Sequence, residues 1–547
     1  MKINFQTRLL SSLTKVFGEE SLPDTEFKNG SALLGEVYSF QLAYYSDRMI
    51  KDIGVSIDSP LKDIVQIRAV ELAPCNVASN LFDDNFLKKS AGMYPDILND
   101  FEKTQVVPCQ WRSLWITVNI PSSYKAEIYK IKISLNFELP EGPVTKSEEF
   151  ALEIINAALP EQILKHTEWF HSDCIATRYN AEVWSEKYWT LVEKFVKNAS
   201  EHGINMILTP LFTPPLDTKV DGERLTVQLV DIEKKADKYS FEFSRLTRWI
   251  DMLFRNNIKY IEFSHLFTQW GAGHAPKIIA RENGVEKKIF GWETDAAGDD
   301  YKNFLAQFLP ALRRFIRENK LESICVFHIS DEPGVQHMES YRKALEAAAP
   351  HLEGMTIMDA LSSIDFYDSG LVKNPVPSNN HIEPFRERKI KDLWTYYCCS
   401  QAIKVPNRFF AMPSERNRIL GMLLYDYEIG GFLHWGYNFW YSQYSIKEIN
   451  PYEITDAGKA FPSGDAFLVY PGENGPVDSI RHEVMREGLQ DLRALKLLES
   501  MIGREKTSKL LKEDVNGRFA MDNYPRGKEW LLNKRERINQ AIKKTLA

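Results

Sequence analysis

Cysteine is scarce in this chain: six residues in 547, two of them adjacent as Cys398-Cys399. That number and spacing do not build a disulfide framework, so a reducing cytoplasm is the expected compartment. Residues 1–20 lack the uninterrupted apolar core of a secretory signal. No window approaches the apolar length that spans a bilayer, and no membrane partner is expected. An excess of basic charge is missing too. The chain has 68 Lys and Arg against 75 Asp and Glu, a net charge of -7. This argues against a dedicated nucleic-acid partner, which calls for a basic face. There is no glycine-rich phosphate loop, no internal repeat and no low-complexity segment. Neither His-x-His nor His-Glu-x-x-His occurs. Without ligand-type spacing, no metal and no other cofactor is expected.

What is present is an ordinary globular composition, 44% apolar and 26% charged, which excludes wholesale disorder. The length suggests roughly three units of ~150 residues. A (β/α)₈ barrel takes about 250, leaving room for one or two smaller domains. Aromatic residues make up 12% of the chain, and several Trp fall in loop-like contexts. Such rings suit a flat-faced ligand such as a sugar, or simply a core.

From residue 1 to about 157 the pattern is that of β-strands. In Tyr129–Leu139 every second residue is apolar and the ones between are polar, as in a strand with one wet face. Leu114-Ile116-Val118-Ile120 and Phe150-Leu152-Ile154 repeat the alternation, and Pro140-Glu141-Gly142-Pro143 reads as a turn. Residues 1–157 are therefore expected to form an N-terminal β-sandwich. Near Pro160 strands begin to alternate with helical stretches. Strands are expected at His166–Cys174, Asn205–Phe212, Lys259–Phe267, Ser323–Ser330, Gly354–Ala360, Leu393–Cys398 and Gly431–Tyr437, with a weak eighth at Asn380–Phe385. Helices are expected at Trp184–His202, Phe241–Asn256, Tyr301–Asn319 and Glu339–Ala349. Residues 158–505 thus read as a (β/α)₈ TIM barrel, with a doubly wound sheet as the competing α/β fold. Within them, Val477–Ile502 is an amphipathic helix with Val484, Leu489, Leu492, Leu495 and Leu498 on its apolar stripe. The charged segment 506–547 reads as a helical C-terminal extension with a solvated surface.

One stretch carries the chemistry. The apolar run that opens at Ser323 closes on Ser330-Asp331-Glu332-Pro333-Gly334. Two carboxyls where a barrel strand meets its C-terminal loop suggest acid/base catalysis; a solvated turn is the plainer alternative. The other strand ends are rich in rings and polar groups: Trp169 to Asp173, His265 to Gly271, Trp394 to Tyr397 and His434 to Trp440. Converging on one mouth, they would form a bowl that stacks a pyranose ring and binds its hydroxyls. Trp394, Trp435 and Tyr437 are the expected lining, with Trp270 and Tyr396 beside them. Asn438 and His171 or His328 are the expected hydroxyl partners.

In these residues the chain resembles glycoside hydrolase family 123, the bacterial β-N-acetylgalactosaminidases and their uncharacterised relatives. The resemblance rests on Phe327-His328-Ile329-Ser330-Asp331-Glu332-Pro333, on Gly431 to Asn438, and on Arg486-Glu487-Gly488-Leu489-Gln490-Asp491. It covers about Pro160 to Leu498. It implies a sandwich followed by a (β/α)₈ barrel, a glycan substrate, retaining substrate-assisted catalysis, and Asp331 and Glu332 as the catalytic acids.

The residues themselves agree with that implication. A retaining enzyme with a protein nucleophile needs two carboxyls about 5–5.5 Å apart on opposite sides of the bond. Adjacent residues are poorly placed for this, whereas a 2-acetamido group of the substrate could replace the nucleophile. Successive strand residues point to opposite faces, so Asp331 and Glu332 share a site only if the strand bends there. Two other functions compete with this one. A metal-dependent hydrolase would use His171, Asp173, His265, His328 and His434. A non-catalytic carbohydrate-binding barrel would keep the aromatic bowl without an acid.

Overall fold

The computed structural model describes residues 3–22 and 24–546; the expected outer limits at Met1 and Ala547 lie outside them. The N-terminal region is sheet-rich. One five-stranded sheet runs in the order Phe5–Ser11, Val37–Ser46, Gln110–Asn119, Val65–Cys75, Gly92–Asn99. The other runs Asn29–Leu34, Gly142–Ala158, Ile128–Leu139, Ile50–Asp58, Thr104–Val106. The alternation read from the sequence has its physical cause here. Tyr129, Ile131, Ile133, Leu135 and Phe137 are buried, while Lys130 and Lys132 face solvent. The two sheets share one apolar cluster, in which Phe40 stacks on Phe150 with ring centroids 4.1 Å apart.

The second region is built on eight parallel strands: β1 (Lys165–Glu168), β2 (Met206–Thr209), β3 (Tyr260–Phe263), β4 (Cys325–Phe327), β5 (Thr356–Leu361), β6 (Asn374–Pro377), β7 (Trp394–Tyr396) and β8 (Gly431–His434). Each pairs with its neighbour in sequence, and β8 pairs with β1. A single bridge from Ser378 to Tyr396 joins β6 to β7. This sequential, nearly closed order is that of a TIM-like barrel and excludes a doubly wound sheet, whose strand order reverses. The strand expected at Asn380–Phe385 is corrected. The sixth strand is Asn374-Pro375-Val376-Pro377, and a short helix, Glu383–Glu387, occupies the expected position. Two prolines at alternate positions withhold donors along one side of the strand. That explains both the lost signal and the thin seam toward β7.

The outer helices include α1 (Glu186–Glu201), α2 (Ser244–Arg255), α3 (Asp299–Glu318), α4 (Met338–Ala348), α5 (Leu420–Asp426), α6 (Ile480–Ile502) and α7 (Lys528–Leu546). Ser185 caps α1 by accepting from the Tyr188 N–H. Gly203, at φ 87°, turns the chain away beyond its end. Among the described residues, no helix is long and apolar enough to cross a membrane.

The C-terminal segment is not the solvated extension expected from its charge. Leu531, Ile538 and Ile542 of α7 are buried, and the helix packs on Asn29–Leu34, Gly142–Ala158 and α6. Its Arg535 reaches Asp491 of α6 at 2.8 Å and Glu36 of the sheet region at 2.6 Å. Mixed charge hid this face because the buried charges are paired with each other rather than with water. The helix α6 is fixed by a second device. A Cβ on Gly421 of α5 would lie 1.7 Å from the Gly488 carbonyl oxygen, so the two backbones touch. Overpacking costs about 1–3 kcal/mol where side chains can shift; here a backbone must move. Gly421→Ala should therefore lower the unfolding free energy by at least that amount, seen as a lower urea midpoint, and an unchanged midpoint would show that the helices do not approach so closely in solution.

Candidate active site

The barrel strand β4 ends at Phe327, but its chain stays tied to its neighbours. The Leu266, Phe267 and Trp270 N–H groups donate to the carbonyls of His328, Ile329 and Asp331, and the Glu332 N–H donates to Ala360 O at 3.1 Å. At Glu332 the backbone turns to φ 43°. A left-handed bulky residue is uncommon, and the following Pro333 favours an extended conformation instead. Such strain persists only where the surroundings hold it. Its consequence is geometric: the strand's alternation is broken, and Asp331 and Glu332 line the same cleft.

That cleft holds about 730 Å³ of open space at the C-terminal mouth of the barrel. Its apolar wall is Trp169, Leu433, Trp435 and Phe461; Trp270 and Tyr444 stand at its rim, 44% and 38% exposed, edge to face at 5.9 Å. The Tyr396 hydroxyl donates to Glu332 Oε1 at 2.5 Å. The Trp435 indole N–H donates to Asp465 Oδ2 at 2.9 Å, which fixes the ring's orientation.

Of the residues singled out from sequence, Asp331, Glu332, Trp270, Tyr396 and Trp435 meet in the cleft. Five others do not line it. Trp394 opens β7, so it faces the opposite end of the barrel, with Lys165, Tyr260 and Ser323. Tyr437 is core: its ring stacks on Phe170 and its hydroxyl donates to Phe195 O and Asn198 Oδ1 of α1. Asn438 is fully buried, accepting from the His171 N–H and donating to His171 O. The His171 ring is held between Arg224 Nη2 at 3.0 Å and the Trp435 carbonyl at 2.9 Å. Burial, and then the charge of Arg224, pushes its pKa down to about 3. His171 and Asn438 therefore brace the Trp435 loop from behind. His328 lies inside the barrel, its Nε2 at 2.7 Å from Glu262 and its Nδ1 at 3.3 Å from Asp359. Conversely, Asp217, Gln269, Tyr444, Cys398, Cys399 and Phe461 line the cleft without having been singled out. Gln269 sits in the ring-rich run after β3, and Cys398 closes the strand expected at Leu393–Cys398 with Cys399 next to it; Asp217, Tyr444 and Phe461 lie on long loops where no periodicity marks them.

The electrostatics separate the groups. Burial would keep His328 neutral, but its contacts with Asp359 and Glu262 outweigh this and raise its pKa to about 10. It is a fixed cation beneath Asp331. His265, His328 and Asp359 approach ligand spacing, but both His328 ring nitrogens are already turned to carboxylates. Burial, and next the charge of Glu332, push the Asp331 carboxyl well above the usual carboxylate range. Glu332 is raised by burial, opposed by the Tyr396 hydrogen bond and reinforced by Asp465. Two such neighbours titrate as a pair.

A ring-walled cleft with paired carboxyls of raised pKa, at the C-terminal mouth of a TIM-like barrel, defines a sugar-cleaving hydrolase as the class. The family described as glycoside hydrolase 123, catalytic domain, matches residues 169–498, and the chain belongs to that family. The fold is similar to that of a family 123 glycoside hydrolase from Clostridium perfringens, described in connection with glycolipid glycan hydrolysis. The two share 17% identity with a TM-score of 0.76, over 98% of each chain. A β-glucuronidase from Parabacteroides merdae is 11% identical with a TM-score of 0.32, covering 90% of this chain and 52% of its own. A β-galactosidase-like protein from Bacteroides fragilis is 9% identical with a TM-score of 0.31, covering 84% and 58%. No curated protein sequence matches the chain.

The raised pKa of Asp331 has a consequence for folding. An acid whose native pKa exceeds its unfolded value holds a proton that the unfolded chain has lost, so stability falls as pH rises through that window. Asparagine carries no such penalty. Asp331→Asn should therefore melt near the wild-type temperature at about pH 4, close to the free carboxyl pKa, and above it increasingly as pH rises. A variant less stable than wild type at every pH would contradict this account of the site.

Proposed function

We propose that the protein hydrolyses β-linked N-acetylhexosaminides, N-acetylgalactosaminides first among them, with retention and with the substrate's own acetamido oxygen as nucleophile. The observation that carries this reading is the shared orientation of Asp331 and Glu332, enforced by the left-handed backbone at Glu332. Two neighbours on one side of a ring cannot flank a glycosidic bond as acid and nucleophile. They can serve as acid and as partner of the acetamido group.

In this reading the proton that the coupled pair holds sits on Glu332 when the sugar is bound, and Glu332 donates it to the leaving oxygen as the C1–O bond breaks. The acetamido oxygen closes on C1, giving an oxazolinium ion. Asp331 accepts the acetamido N–H, orients the group and balances the positive charge. Glu332, now a carboxylate held by the Tyr396 hydroxyl, takes a proton from water, which attacks C1 and regenerates the acetamido group. Both attacks are on C1 from opposite faces, so configuration is retained. Trp169, Trp435 and Phe461 offer the apolar wall for the ring, and Trp270 with Tyr444 an outer platform for the aglycone. By analogy with the Clostridium perfringens relative, a glycolipid glycan is a natural substrate to try. We read residues 1–157 as a β-sandwich domain, 158–505 as the catalytic barrel and 506–547 as an extension docked on both, in a cytoplasmic protein.

The test is a pair of aryl glycosides that differ only at C2, acetamido against hydroxyl. The acetamido compound should turn over and the other should be almost inert; equal rates would exclude substrate assistance. Glu332→Gln should lose about 10²–10⁴-fold in kcat, as removal of a general acid does. The loss should shrink on nitrophenyl leaving groups, which need little protonation. Asp331→Asn should lose activity on every acetamido substrate whatever its leaving group. Loss of the C2 preference in Asp331→Asn without loss of rate would reassign that residue.

A further inference from the structure

A third carboxylate in the cleft has no task in the reaction just described. Asp217 lies on the loop after β2 and lines the cleft with Asp331 and Glu332. It is close enough that its charge adds to the raised pKa of Asp331. Its own backbone is left-handed, at φ 39°. Three contacts from two other loops hold it so. Gln269 Oε1, after β3, accepts the Asp217 N–H at 2.6 Å. Tyr444, after β8, gives its N–H to Asp217 Oδ2 at 3.0 Å, and the Ser445 hydroxyl donates to Asp217 O at 2.7 Å. Tyr444 and Ser445 are themselves at φ 59° and 53°.

Three strained residues on two loops, locked to each other, are a costly way to place one side chain. Yet among the described residues no lysine or arginine lines the cleft, Arg224, whose charge acts on Asp217, lies outside that lining, and no ion pair or second hydrogen bond takes up Asp217 Oδ1. A carboxylate placed with such care, with only Oδ2 taken up by a protein donor, has room for a further partner. In a cleft that holds a sugar, ring hydroxyls are the donors on offer, and a carboxylate accepts them without competing donation.

We propose that Asp217 is a specificity-determining residue that accepts one hydroxyl of the bound sugar, and that Gln269 is a positioning residue which holds it in place. The assignment rests on the reading of the cleft as a sugar site, but not on the acetamido mechanism. Asp217 binds the ring edge and takes no part in bond breaking, so its contribution is made to ground state and transition state alike. Its loss should raise KM and leave kcat nearly untouched.

The test crosses one protein change with a series of substrate changes. Wild type and Asp217→Asn are assayed on an aryl glycoside that the wild-type enzyme hydrolyses, and on its 3-, 4- and 6-deoxy analogues. On the parent glycoside Asp217→Asn should lose about 10–100-fold in kcat/KM, the scale of a hydrogen bond to a charged group, through KM. On the analogue that lacks the bound hydroxyl, the two enzymes should agree within about twofold, as coupled partners do in a double-mutant cycle. An equal loss on all four substrates, or a loss in kcat alone, would overturn the assignment; the latter would make Asp217 a participant in the chemistry. The parent may lack an acetamido group, so failure of the proposed mechanism leaves this comparison intact. If Asp217→Asn does not fold, wild-type crystals soaked with N-acetylgalactosamine decide the matter. An Asp217 oxygen at about 2.5–3.0 Å from a ring hydroxyl supports the proposal, and a bound sugar with no hydroxyl near Asp217 overturns it.

Discussion

Everything at the mouth of this barrel depends on one backbone torsion. A strand sends successive side chains to opposite faces, and two adjacent acids on a strand cannot face one ligand. The chain escapes this rule at Glu332, where φ is 43°. Glutamate gains nothing from that conformation by itself, and the proline after it works against it. The turn is held from both sides, by the Glu332 N–H bonded to Ala360 O and by Asp331 O accepting from the Trp270 N–H. The neighbouring strands β3 and β5 thus impose the site on β4. This explains why the pair sits beyond the last ladder residue of its strand rather than within it.

That constraint also marks what could be read from sequence. Most barrel strands announce themselves as apolar runs, and the two acids at the end of one run were legible as a site. The sixth strand was not, because Pro375 and Pro377 imitate a loop while still forming a ladder with β5. The pocket was half legible for a related reason. Strand periodicity says that a residue belongs to a strand but not at which end it lies. Trp394 and Tyr396 are two residues apart on β7, yet one faces the bottom of the barrel and the other bonds Glu332. Tyr437 and Asn438 follow the last strand closely, but that chain turns inward to brace α1 and the loop carrying His171. Asp217 could not have been found at all. Its position depends on three loops meeting, and no local pattern encodes that.

Buried charge is the second theme of the molecule, and it is used in two ways. Away from the cleft several buried charges have counter-ions. Arg418 bonds Glu487 and Asp491, Arg481 bonds Asp96, and Arg68 bonds Asp478 and Glu483. The last two of these arrangements join the sheet region to the barrel and α6. Breaking one partner of such a pair leaves the other stranded, at a typical cost of about 3–5 kcal/mol. These contacts make the relative placement of the two regions specific. They also account for the Arg486-to-Asp491 motif, which does structural work far from the cleft.

Within the cleft the rule is reversed. Asp217, Asp331 and Glu332 face the same space, and none is matched by a lysine or arginine on its wall. The cations that act on them stand outside that wall: the His328 imidazolium on Asp331, itself shared between Glu262 and Asp359, and Arg224 on Asp217. Burial raises the pKa of all three, and the charges of Glu332, Asp359 and Asp217 add to the rise at Asp331. The same crowding selects the ligand. An acidic sugar would meet carboxylates with no lysine or arginine on the same wall, and like charges repel. A neutral sugar brings hydroxyl and amide donors that the wall cannot supply for itself. The carboxyls whose pKa is raised are therefore also the groups that would favour an uncharged, donor-rich ring over an acidic one.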